Sequence, residues 1–261
     1  MRGVISFCDI LGYQSFLANN SATESALKVL DIITSAPKWV KNRFDETWLS
    51  LEYNNEIPDV LQHLVFSDTI VIMIPYPENM KVEWRLKAFT YITLFTAYLK
   101  CKMFVDGLPL RCVIHEGDFI AKETCLAGMA IVDAYRLAET LDLSAVVLSP
   151  TFSESLIKEK HIDTLGRNFI EYLTPMNNLE ETKLIHYNWL NNMNPMDLAD
   201  CSKDVDTFVL KSFWAHQKDC SNAVDNKVKA TIKLIRKMLI VNKDTSSQLG
   251  KLARPLQASD S

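Results

Sequence analysis

Val4-Ile5-Ser6-Phe7-Cys8-Asp9-Ile10-Leu11-Gly12-Tyr13 is an apolar run that stops on an acid and then turns at a glycine. Residues 3–8 read as a buried strand, and an aspartate at the end of such a strand is poorly placed for packing. A second run, Leu64-Val65-Phe66-Ser67-Asp68-Thr69-Ile70-Val71-Ile72-Met73-Ile74, carries another lone acid. If the two segments pair as neighbouring strands, Asp9 and Asp68 come together and could hold a divalent metal between them.

Working outward, Ser21 and Glu24 have capping-box spacing for a helix carrying Ala26, Val29, Leu30 and Ile33, which Pro37 ends or bends. Strands are expected over 49–53 and 65–74, with a turn at 53–56 between them and Pro75 and Pro77 closing the second. A long helix is expected over 82–104, with apolar positions 88, 89, 92, 95 and 98, stopped by Asp106-Gly107. Residues 110–115 and 118–121 read as a hairpin across Glu116-Gly117. A helix over 128–141, a strand over 145–148, a short helix over 151–159 and a strand over 168–173 follow. The order β-α-β-β-α-β-β-α-β-α-β predicts an α+β domain, a mixed sheet with helices packed on it.

Residues 1–175 form the expected main domain. The polar, Asn-rich stretch 176–203 reads as a linker or excursion, 204–242 as a helical hairpin, and 243–261 as a disordered tail. Within the hairpin, helices are expected over 205–219 and 223–241, the second with Val224, Val228, Ile232, Ile235 and Leu239 at helical spacing. Its Lys227, Lys229, Lys233, Arg236 and Lys237 read as the solvated face opposite that stripe.

Apolar residues make up 48% of the 261 and charged residues 23%, enough to bury a sizeable core. A net charge of −4 gives no electrostatic support for nucleic-acid binding. The six cysteines, at 8, 101, 112, 125, 201 and 220, form no C-x-x-C pair and read as reduced thiols of a cytoplasmic protein. No apolar run reaches the ~18 residues of a membrane helix, so no stable membrane association is expected. Asp9 interrupts the N-terminal apolar stretch and argues against a signal peptide.

Four segments carry a family resemblance. Phe7-Cys8-Asp9-Ile10-Leu11-Gly12-Tyr13 resembles the F-x-D-I-x-G-F opening of class III nucleotidyl cyclase domains, and Phe66-Ser67-Asp68 their second metal strand. Leu110-Arg111-Cys112-Val113-Ile114-His115-Glu116-Gly117 resembles V-R-x-G-I-H-x-G, and the stretch from Gly128 to Leu137 resembles G-D-T-V-N-x-A-x-R-L. The narrower wording is similar to that of the stand-alone bacterial pyrimidine cyclases of the Pycsar anti-phage systems. The first strand begins within a few residues of the first methionine, so no sensory domain is expected upstream.

The resemblance implies a class III cyclase-type mixed sheet with a ferredoxin-like core, packed helices and a C-terminal helical extension. It implies attack of a ribose 3′-hydroxyl on the α-phosphate with two divalent cations, Mn²⁺ or Mg²⁺, held by Asp9, Asp68 and the Ile10 carbonyl. Backbone N–H groups at Gly12 and Tyr13 would cradle the triphosphate. Arg136 would stabilise charge on the α-phosphate across a homodimer with composite active sites. The family's asparagine four residues before that arginine is Val132 here.

The base-selecting positions correspond to Leu64 and Cys125. Leu64 makes no side-chain hydrogen bond, which argues against both purine schemes and leaves room for a smaller ring. The expectation is therefore a pyrimidine cyclase making a cyclic mononucleotide read by a separate effector, and the narrower resemblance, not any residue, implies UTP over CTP as substrate. A catalytically inactive nucleotide-binding module, or a purine cyclase with an atypical pocket, is the alternative. Arg111 and His115 share a strand face, Arg111 as a structural or phosphate-adjacent residue and His115 as a hydrogen-bonded strand residue. Arg167 could approach the family's phosphate-contacting lysine.

Overall fold

The computed structural model describes residues 1–20, 24–49, 57, 60–122, 125–159, 168–178, 180–218 and 222–253. The strands are β1 (Arg2–Ile10), β2 (Gln62–Phe66), β3 (Thr69–Pro75), β4 (Leu110–Asp118), β5 (Ile120–Lys122), β6 (Cys125–Ala127), β7 (Val146–Leu148), β8 (Phe169–Pro175) and β9 (Glu181–Tyr187). The helices are α1 (Tyr13–Asn19), α2 (Glu24–Leu49), α3 (Val82–Val105), α4 (Met129–Thr140), α5 (Pro150–Lys158), α6 (Pro195–Lys203), α7 (Val205–Trp214) and α8 (Asn222–Ala253).

Among the described residues the main sheet has seven strands in the order β2-β3-β1-β4-β7-β9-β8. β1 runs antiparallel to both β3 and β4, β2 antiparallel to β3, and β4 parallel to β7. The first four strands thus form a split βαβ arrangement, β1 and β2 flanking β3, which is the ferredoxin-like core. β9 extends the sheet against β7 and pairs with β8 along Phe169↔Tyr187 to Pro175↔Glu181.

Strand alternation sets two layers on opposite faces. Phe7 points to α4, where its ring meets Tyr135 at 5.7 Å. Cys8 points the other way, into the field of Lys100 on α3. α3 is buried nearly all round, by Ala88, Phe89, Ile92, Phe95, Leu99, Met103 and Phe104, because it lies between the sheet and α2. A helix enclosed in this way is apolar on every side rather than along one stripe.

Several sequence expectations change. The strand over 65–74 is a hairpin: Val65 and Phe66 end β2, Thr69 starts β3, and Ser67-Asp68 is the turn, with Ser67 at φ 54°. Asp68 is therefore a turn acid at a strand junction, where a charge reaches solvent. Glu116-Gly117 is no turn: both lie inside β4, paired with Val4 and Gly3, and the short hairpin is β5–β6.

The stretch 176–203 is no linker, since β9 is a paired sheet strand and α6 is capped by the Asn194 side chain accepting from the Asp197 N–H. Helix 205–219 stops at Trp214, and His216 and Gln217 then take left-handed φ values of 59° and 56°. The tail expected to be disordered from 243 is helical through Ala253. α2 runs through Pro37 to Leu49, so the expected strand over 49–53 loses its first residue to a helix. The rest of that strand, the turn at 53–56, the Ser21 cap, Arg167, Cys220 and residues 254–261 lie outside the described residues.

Candidate active site

The β1–β3 register sets Asp9 opposite Thr69, and the Ile10 N–H donates to the Asp68 carbonyl at 3.0 Å. The end of β1 and the β2–β3 turn are thereby locked side by side, which brings the two aspartates to one place. Both border a cleft of about 490 Å³ with Ile10, Gly12, Tyr13, Thr69, Arg111, Tyr135, Glu139, Phe213, Lys218 and Lys227. Pockets for small ligands have this order of size.

Gly12 makes the turn from β1 into α1. Its φ of 80° is left-handed, and a Cβ there would come within 3.0 Å of Lys218 Cδ. The opening N–H groups of α1 have no carbonyl within the helix to bond. Tyr13 itself is buried and packs against Phe16 at 5.8 Å, so its ring serves the core while its backbone borders the cleft.

Arg111 lies directly opposite Asp9 in the β1–β4 register. Its Nε donates to Asp9 Oδ2 at 3.0 Å, and Nη2 closes a second contact to the same oxygen. Nη1 donates to the Glu139 and Leu141 carbonyls, each at 3.3 Å. Burial pushes the Asp9 carboxyl above its ordinary value; Arg111 opposes that, while Asp68 and Glu139 push it further up. Three carboxylates thus act on one small volume. Lys227 enters the same field, its ammonium pushed down by burial and by Arg111 and held up by Asp142 and Asp9.

The donor set suits a hard divalent ion. Two carboxylates and a backbone carbonyl give a few oxygen ligands, and Mg²⁺ or Mn²⁺ completes its shell with water and phosphate oxygens. Among the described residues, side chains alone make no cluster of three or more metal-ligating groups, so such an ion would need the Ile10 carbonyl and the ligand's own oxygens.

Leu64, Cys125 and Arg136 lie away from the cleft lining. Leu64 is half-buried on β2 against the core, Cys125 is exposed on β6, and Arg136 is exposed on α4. Tyr135 and Glu139, one helical turn apart, are the α4 side chains that face Asp9 in the same chain. Sequence reading missed these two, although their i,i+4 spacing beside Arg136 was a visible signal. It also missed Phe213, Lys218, Val224 and Lys227, for which only long-range folding provides a signal. His115 is buried and hydrogen-bonds through Nδ1 with Ser149 Oγ at 2.7 Å, a strand residue rather than a cleft residue.

No family model and no curated protein matches the chain. Solved structures similar to it include the non-canonical dimeric guanylyl cyclase domain of the RhoGC fusion protein from the aquatic fungus Blastocladiella emersonii, with TM-score 0.43, 10% identity and coverage of 71% of this chain and 93% of that one. The guanylyl cyclase Cya2 gives TM-score 0.43, 12% identity and coverage of 72% and 90%. The catalytic core of a rhodopsin-guanylyl cyclase with converted specificity, in complex with ATPαS, gives TM-score 0.45, 10% identity and coverage of 71% and 94%. Likeness at this level leaves function to the chain's own residues.

Among the described residues no helix is long and apolar enough to cross a membrane.

Proposed function

We propose that the chain is a metal-dependent nucleotide cyclase, acting on UTP or CTP to give the 3′,5′-cyclic mononucleotide and pyrophosphate. The observation that carries this reading is the convergence of Asp9 and Asp68 at one cleft of about 490 Å³, beside a glycine turn into a helix. Two bound divalent ions would lower the pKa of the attacking hydroxyl and stabilise the leaving pyrophosphate.

The chain's own residues bind and orient. Asp9, Asp68 and the Ile10 carbonyl present hard oxygen ligands. The Gly12 and Tyr13 N–H groups offer donors to phosphate oxygens. Arg111 fixes the Asp9 carboxylate through the pair of contacts to Oδ2. Arg136, Leu64 and Cys125 stand outside the cleft of their own chain, which supports a composite site in a homodimer, each subunit completing the other's. Phe66, 82% exposed at the β2–β3 turn next to Asp68, gives such a partner an apolar contact. Leu64 supports a pyrimidine over a purine base, because it offers no hydrogen bond to a ring edge. The cyclic product would serve as a second messenger of bacterial anti-phage defence, read by a separate effector.

Val132 in the place of the family's asparagine, together with the Arg111 hold on Asp9, favours a second reading: a cyclase-fold nucleotide-binding module without turnover. Incubation with ATP, GTP, CTP and UTP separately, with Mn²⁺, and mass spectrometry of the products separates the two. A cyclic pyrimidine product lost in the Asp9→Ala, Asp68→Ala variant is expected. Cyclic AMP or GMP alone would remove the pyrimidine claim, and nucleotide binding with no product would select the binding module.

A further inference from the structure

Besides Tyr135 and Glu139 of α4, part of the cleft wall around Asp9 and Asp68 comes from outside the ferredoxin-like core. Phe213, Lys218, Val224 and Lys227 supply it, all from the C-terminal extension. Lys218 is a tether. Its ammonium donates to the Gly107 and Ser212 carbonyls at 2.5 and 3.0 Å, and its stem covers Gly12. α8 is held just as firmly: Leu234, Ile235 and Met238 are fully buried, and Thr231 Oγ1 accepts from the Ser144 N–H at 2.9 Å.

The cleft cations therefore differ in what they have left to bind. Arg111 is spent on Asp9 and two carbonyls, and Lys218 on two carbonyls. The Lys227 ammonium has no hydrogen-bond or ion-pair partner among the described residues, yet it is half-buried in the cleft. Asp142 and Asp9 act on this ammonium only through their field, with no direct pairing, and a polyanionic ligand would offset its partial desolvation.

We infer that Lys227 is a phosphate-binding residue of the nucleotide cleft, and that the C-terminal extension closes the cleft over the triphosphate in the same chain. This rests on the nucleotide reading above and adds a residue and a segment to it. Lys227 acts as a point charge on the chain of phosphates. Its contribution falls on substrate and pyrophosphate affinity rather than on base choice.

Titration calorimetry with CTP, UTP and inorganic tripolyphosphate, each with Ca²⁺, tests this on the full chain. Lys227→Met is expected to weaken all three by roughly 10- to 100-fold, and Lys227→Arg to recover most of the loss. Lys229→Met, which removes the same charge from an exposed position of α8, is the control and leaves binding unchanged. Unfolding midpoints show that each variant is folded, with Lys227→Gln as the alternative if Met destabilises. Wild-type-like tripolyphosphate binding by Lys227→Met, or an equal loss in Lys229→Met, overturns the inference alone. A wild-type protein that binds none of the three ligands overturns the nucleotide reading and the inference with it.

Discussion

His186 lies fully buried on β9, with Nε2 2.7 Å from Thr174 Oγ1 and the Tyr172 ring edge-on at 5.4 Å. Its Nδ1 is buried without a hydrogen-bond partner. A second proton on this ring would be a buried charge with no counterion, and burial accordingly lowers its pKa from 6.5 to about 3. Between those values the unfolded chain binds a proton that the folded chain refuses, so stability rises with pH across the window. The full value is present above 6.5 and is lost as pH falls towards 3. At pH 5 the loss depends on the unfolded pKa alone, since the folded one lies far below. One and a half units at ~1.4 kcal/mol each give about 2 kcal/mol.

His186→Phe keeps a ring in place and leaves Thr174 Oγ1 its bond to the Tyr172 carbonyl at 3.2 Å. Other histidines are common to both proteins and cancel in the difference. Urea denaturation of wild type and His186→Phe at pH 7, 6 and 5 reads the effect directly. The variant should gain about 2 kcal/mol on the wild type between pH 7 and pH 5. Parallel stability profiles would refute the assignment of a neutral, unprotonatable His186.

Lys100, fully buried under Leu110 and Ser144, gives a linkage of the same sign in base. Burial lowers its pKa from 10.5 to about 8, against the pull of Cys112, Cys101 and Cys8. Relative to Lys100→Met, wild-type stability should climb by about 3 kcal/mol between pH 8 and 10.5 and stay level below, as denaturation at each pH would show. Arg85 meets Glu116 with two hydrogen bonds, of 2.6 and 2.7 Å, at side-chain exposures of 9% and 5%. Arg85→Met should cost about 3–5 kcal/mol, and the Arg85→Met, Glu116→Met double variant less, read from denaturant midpoints. If the site is composite, Asp9→Ala and Arg136→Ala are each inactive alone. Reassorted mixtures should then recover about a quarter of wild-type activity, half the dimers carrying one intact site, and no recovery would place Arg136 outside the partner's site.

The layered α+β order and the pairing of Asp9 with Asp68 were legible because long β-branched runs and an acid at a strand end leave few choices. The β2–β3 turn was hidden, since Ser67 adopts a left-handed φ that glycine or asparagine usually marks, and β-formers flank it on both sides. Gly117 misled in the opposite direction: it permits close packing of Ala130, whose Cβ would lie 3.0 Å from a Cβ at Gly117, and makes no turn. β9 was masked by its asparagine-rich surroundings, although Leu184, Ile185 and Tyr187 are buried. The meeting of Lys218 with Gly12 depends on tertiary packing between distant segments and leaves no local pattern.

The most direct measurement is ³¹P NMR of the protein with UTP or CTP and Mn²⁺ removed at the end by chelation. One cyclic phosphodiester signal and pyrophosphate in equal amounts, absent in Asp68→Asn, is the expected result. Nucleoside diphosphate with orthophosphate, linear monophosphate with pyrophosphate, or an unchanged spectrum from a folded, dimeric protein would contradict a cyclase at the Asp9–Asp68 cleft.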